Sequence, residues 1–328
     1  MTSSKYTAPK ALGKTLEDLR QHASTTFGAA ALISLPVPFV AVYAAVRPTY
    51  LSTTAQTVIN TMVAWWVAYA IILATKAYAS DSDPGVSAIV GQSRSGLITY
   101  GLTRILLGLL LIVAAVCAVV VGGIILGVAA PGLLSGPPSI EAMAGLFLVM
   151  GPLVILALLF VYLLFGLAPV AAAIDRRRAG ASLGRSREVT KGHRRDFLLL
   201  LFIVWVFTVI IQILVQGPAQ MVAAQNMPIG NVDPQNLSFD ALVEQAMQLP
   251  PPASPPQALV IAVSTYLSLL ILEAFIAGFF ARFYLGLTQP DEPTPGRDPD
   301  SDASGRASID SGSSAGSGAG LPDQPPPG

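Results

Sequence analysis

Six stretches of this chain, roughly 26–46, 57–79, 98–129, 140–174, 197–216 and 257–287, run on for about 20 residues or more with almost no charge. A helix needs roughly 20 predominantly apolar residues to cross the hydrocarbon core of a bilayer. Backbone polar groups inside lipid must be satisfied within the segment itself, which leaves helices as the spanning form for such runs. The pattern predicts an all-α polytopic membrane protein with about six transmembrane helices, supplemented by short interfacial amphipathic helices. Composition agrees, because charged residues make up only 12% of the chain, whereas a soluble domain carries about a quarter.

The formal net charge of zero conceals an asymmetry. The segments 47–56, 130–139 and 217–256 hold a single basic residue, Arg47, while most of the 19 lysines and arginines lie on the opposite side of the spans. Basic residues stay cytoplasmic, so both termini are expected in the cytoplasm, in a multi-pass protein of the cytoplasmic (plasma) membrane. The stretch following Asp175 is the most basic, with Arg176, Arg177, Arg178, Arg185, Arg187, Lys191, Arg194 and Arg195. Together with His193 these residues are candidates for fixing topology or for touching anionic headgroups, since each cation near a negative leaflet contributes about 1 kcal/mol.

Three parts follow along the chain. Residues 1–25 form a cytoplasmic N-terminal segment, with 1–10 expected to lack order and 11–25 to form an amphipathic helix through Leu12, Leu16, Leu19 and Ala23. Residues 26–288 form the six-helix domain, its first span a retained signal anchor interrupted by Pro36 and Pro38. Residues 289–328 read as a disordered acidic tail, rich in Pro, Gly, Ser and Asp. Kinks are expected at Gly151-Pro152 and Pro169, and Ser238 is placed to cap a short helix outside the membrane. Cys117 reads as a small buried hydrophobe. Trp65 and Trp66 read as packing between helices, and Gly101, Gly108, Gly122 and Gly123 as points of close helix approach.

The chain also repeats itself. Sliding ALGKTLEDLRQH by 171 positions lays Leu12, Gly13, Glu17 and His22 on Leu183, Gly184, Glu188 and His193, with Thr15 on Ser186. A weaker middle copy starts at Gly85, GVSAIVGQSRSGLITY. The expectation is three helical hairpins, each introduced by an amphipathic segment.

The stretches ALGKTLEDLRQHASTTFG, APVAAAIDRRRAGASLGRSREVTKGHRRDFLLLL and FFARFYLGL resemble the glycerophosphodiester phosphodiesterase membrane-domain family, which includes stand-alone six-helix relatives. Ser182, Leu183, Gly184, Arg185, Ser186, Glu188, Thr190, Lys191 and Gly192 follow that family's pattern, and Arg187 stands where an aromatic is usual. The resemblance spans roughly 8–288 and implies a fold and a membrane location. It does not imply phosphodiester hydrolysis, which in fused relatives resides in a separate soluble barrel.

Glu273 is the sharpest single residue. It sits near the middle of the sixth span with no other formal charge within eight residues on either side. A bare carboxylate at that depth must be protonated, paired or facing a polar cavity, and Arg104 in the third span is the partner nearest in depth. Two readings stand: a closed structural pair, or a proton, cation or solute site. His22 and His193 alone supply too few ligands for a metal, and no catalytic triad, phosphate-cradling loop or cofactor motif occurs. Cations at a membrane surface without a recognition fold do not point to nucleic acid. The expected function is that of a non-enzymatic integral membrane protein acting through membrane lipids or a partner protein. The alternative is a small-solute or lipid transporter using Glu273 in a polar intramembrane cavity.

Overall fold

The computed structural model describes residues 6–129, 140–226 and 251–289, and among them every regular element is helical. α1 (Ala8–Gln21) is followed by α2 (Ala23–Ser34) and α3 (Pro36–Val46), which bend by 42° about Leu35. Pro36 explains the bend, because it lacks the backbone donor that would continue the ladder. α4 (Tyr50–Tyr78) opens with a reciprocal cap between Thr49 and Ser52. α5 (Val86–Ala129) is one uninterrupted helix of 44 residues, roughly 66 Å at 1.5 Å per residue, so it overreaches any bilayer core. α6 (Ile140–Phe165) and α7 (Ala168–Ile174) share the fourth apolar run. α8 (Ala179–Thr190) and α9 (Arg194–Ile211) follow, then a π-helical turn, Gln212–Gln216, and α10 (Gly217–Asn226). α11 (Pro255–Thr288) closes the bundle. Among the described residues five helices are individually long and apolar enough to cross a membrane, and the bent α2–α3 pair meets the same measure only when its two halves are taken together, giving five or six crossings. The protein is a multi-pass helical membrane protein.

Several local expectations need correction. α1 begins at Ala8, so residues 8–10 are ordered: Pro9 lies in the first turn, where a missing N–H costs nothing. Its buried face is Ala8, Ala11 and Thr15, while Leu16 is 51% exposed. The reason lies in α11, where Gly278 faces Thr15 and Gly286 is covered by the Tyr6 ring; only small residues permit so close a crossing. The fourth run stays helical through Pro152 and is interrupted at Gly166-Leu167, immediately before the turn that holds Pro169 at the start of α7. Cys117 is exposed on the outer face of α5, beside the exposed Val113, Val116 and Val120; in a lipid-facing helix an apolar residue has no need of a core. Gly122 has no room for a Cβ against Met150 and Leu153 and Gly101 lies against Trp65, whereas Gly108 and Gly123 face open space. Trp66 donates its indole N–H to Ser93 Oγ at 2.7 Å. The expectations for Ser238, residues 130–139 and the acidic tail beyond residue 289 lie outside the described residues.

The internal repeat has a structural counterpart. The positions equivalent to Ala11 and Thr15 are Ile89 and Ser93 in the middle copy and Ser182 and Ser186 in the last, and all six are buried. The glycines between them, Gly13, Gly91 and Gly184, are exposed. Each copy therefore presents the same i, i+4 face to the bundle. Copies one and three break at their histidine with almost the same backbone, φ −115° and ψ 27° at His22, φ −116° and ψ 18° at His193. The middle copy has Tyr100 at that place and continues unbroken as α5.

α11 touches more of the fold than any other described helix, packing against α1, α2, α3, α4, α7, α8, α9 and α10. α5 and α6 pack mainly on each other and join the rest through α2, α4, α7 and α8. The ends of α1 and α11 are fastened by a two-pronged ion pair between Asp18 and Arg282, both largely buried. Nearby, Lys76 Nζ donates to the Ile174 carbonyl at 2.7 Å, closing the end of α7.

Candidate functional site

The π-turn at Gln212–Gln216 and the sparse contact between α6 and α9 leave α9 splayed from its neighbours. Between them lies a cavity of about 1560 Å³, walled by α5, α6, α9 and α11. Its mouth is at the basic end of the bundle, formed by Thr7, Pro9, Gly192, Arg195 and Asp196. It reaches inward to Thr208, roughly 20 Å along α9 at 1.5 Å per residue. The walls are leucine, isoleucine, phenylalanine and tryptophan. Into this apolar space project Arg104, Tyr162 and Glu273.

Each polar group reaches the cavity for a local reason. Arg104 lies one helical turn beyond Tyr100, which is fully buried. The Tyr100 hydroxyl accepts from Arg104 Nε at 3.0 Å and from Nη2 at 2.7 Å, so the guanidinium is aimed by its own helix. An arginine has five N–H donors, and no described residue accepts from the other three. Glu273 projects from the middle of α11 and forms no ion pair within 4 Å among the described residues; its nearest electrostatic partner is Arg104. The two expected residues thus share one cavity without closing on each other. Tyr162 on α6 completes the group, its ring edge-on to Phe280 at 6.4 Å between centroids.

The cationic candidates separate into distinct places. Arg195 lines the cavity mouth beside Asp196. Arg176, Arg177, Arg178, Lys191 and Arg194 are exposed at the basic end. Arg185 belongs to a cluster with Asp175 at 3.6 Å and Glu188 at 3.4 Å, and Asp175 also accepts from the Tyr284 hydroxyl at 2.7 Å. The Tyr284 hydroxyl beside it is the main influence raising the Arg185 pKa, so the side chain stays charged. His193 caps α9, with Nδ1 buried and without a hydrogen-bond partner among the described residues. His22 instead stacks on Tyr78, ring centroids 4.0 Å apart, with Nδ1 3.4 Å from Asp83. The two histidines lie in separate environments, and no group of three His, Cys, Asp or Glu side chains among the described residues is placed to hold a metal.

Residues 10–287 match the family described as a domain of unknown function, DUF7847. The chain belongs to that family. No curated protein and no solved structure matches it. The DUF7847 match runs from within α1 to within the last turn of α11 and takes in every residue lining the cavity except Thr7 and Pro9 at its mouth. Tyr162, which lines the cavity of this DUF7847 chain, and Tyr100, which is buried and holds Arg104, are the residues that the sequence did not reveal, since a tyrosine in an apolar helix carries no signal of its orientation.

Proposed function

We propose that this DUF7847 protein is a non-enzymatic carrier of the cytoplasmic membrane, with both termini cytoplasmic, that binds a lipid or small amphiphile in its cavity. The observation that carries the reading is Glu273 facing an open intramembrane space with no ion pair within 4 Å among the described residues. A charged group at the centre of a span costs about 3 kcal/mol on insertion scales. A scaffold would offset that cost with a closed Glu273–Arg104 pair. A cavity that keeps the two apart suits a ligand that pairs with them.

The cytoplasmic placement of the mouth is supported by the charge asymmetry, because Arg176, Arg177, Arg178, Lys191 and Arg194 all lie exposed at that end. The test is transfer of a fluorescent phospholipid between the leaflets of sealed vesicles containing the purified protein. Wild type should accelerate transfer over empty vesicles. Glu273→Gln should slow it about tenfold or more while leaving abundance and melting temperature unchanged. Equal rates for the two proteins would remove the carboxylate from the mechanism.

A further inference from the structure

The charged groups of the cavity come in opposite signs: Arg104 with Glu273 in the interior, Arg195 with Asp196 at the mouth. Neither a purely anionic nor a purely cationic ligand balances such a lining. Arg104 retains three donors and Glu273 a whole carboxyl group, within one apolar space. The wall is also open sideways. Ile155 on α6 is 65% exposed and Phe202 and Trp205 on α9 are 59% and 61% exposed, yet all three line the cavity. Residues that belong to both the interior and the lipid-facing surface mark a lateral opening between α6 and α9. The volume exceeds the ~1,000 Å³ upper range of sites for drug-sized ligands, and its walls are mainly hydrocarbon.

We infer that the cavity takes a membrane phospholipid with a primary-ammonium headgroup, its phosphate on Arg104, its ammonium on Glu273 and its acyl chains in the cleft between α6 and α9. The inference deepens the carrier reading by naming the class of ligand. A phosphate matches the guanidinium because charge-assisted N–H···O bonds to Arg form a fixed fork. A primary ammonium offers three N–H donors to the carboxylate, whereas a quaternary ammonium offers none and a glycerol headgroup has no cation. The ligand enters from the leaflet at the basic end, where the mouth lies, with no need to leave the bilayer.

The full-length protein, purified in detergent, is offered an equimolar mixture of phosphatidylethanolamine, phosphatidylcholine and phosphatidylglycerol with identical chains, and retained lipid is read by native mass spectrometry. Phosphatidylethanolamine should be retained at least fivefold over each of the others. Glu273→Gln should bring it down to the level of phosphatidylcholine, and Arg104→Gln should reduce all three. Equal retention on the wild-type protein would overturn the inference whatever the variants do. So would a Glu273→Gln protein that melts normally and keeps the preference. Soluble phosphoethanolamine, added at the same concentration as the lipid, should compete poorly; full competition would show that the ligand is a free zwitterion and not a lipid. Selective retention without transfer between leaflets would keep this inference and remove the carrier role, and transfer without selectivity would do the reverse.

Discussion

At the scale of single residues, two contacts carry more than their neighbours. Asp18 meets Arg282 through both guanidinium N–H edges, across 264 residues of chain, with little solvent access to either. Removing one partner of a buried pair leaves the other charge uncompensated. Asp18→Asn should therefore lower stability by about 2 kcal/mol, measurable as a fall in melting temperature in detergent, and the same loss should free α1 to proteolysis. Tyr100→Phe removes the acceptor of two Arg104 N–H groups. A cost of about 1–2 kcal/mol is expected, together with weaker ligand retention, because the guanidinium is no longer aimed. Retention unchanged in that variant would show that Arg104 needs no orienting partner. Glu273 and Arg104 were legible in the sequence because a charge stands out within an oily run. Asp18 with Arg282, and Tyr100 with Arg104, were not. The first pair has no local spacing to betray it, and the second hides an ordinary tyrosine at an ordinary helical interval.

At the scale of elements, the repeat explains what the apolar pattern alone could not. Hydropathy located the apolar runs and a face of α1 on which Leu12 and Leu19 do pack against the core. It missed that the fully buried positions are Ala8, Ala11 and Thr15 and that Leu16 is exposed, because it scores size and oiliness while close helix crossings reward small side chains. The three copies agree instead on small or moderate residues at the buried positions and glycine at the exposed one. Two glycines of the last copy test this account with opposite signs. Gly192 has φ +93° and open space around its α-carbon, so Gly192→Ala should destabilise by about 1 kcal/mol through backbone strain alone. Gly184 lies exposed inside α8, also with open space. Gly184→Ala should stabilise by about 0.5–1 kcal/mol, since alanine loses less freedom in a helix. Paired thermal melts decide both. If the two substitutions shift stability in the same direction, the break at His193 does not depend on the left-handed residue before it.

At the scale of the whole molecule, an all-helical fold with about six spans was legible and the arrangement of the helices was not, because the apolar runs record only that lipid surrounds them. Charge distribution adds one further constraint. Arg176, Arg177 and Arg178 are exposed at the basic end, so changing all three to glutamate should give molecules inserted in both orientations. Labelling of single cysteines in the 175–196 loop from either side of sealed vesicles reads the outcome; labelling that stays on one side would assign orientation to the other cations. The arrangement itself bears on how the protein comes into being. α11, which touches eight other helices, is the final described helix to leave the ribosome. Until it arrives, α1 has neither Arg282 to hold nor glycines to settle against, and α2, α3 and α4 lack their principal neighbour. The earlier described crossings therefore wait in the bilayer as an unfinished assembly until α11 joins them, so closure of the bundle is a late step of its assembly.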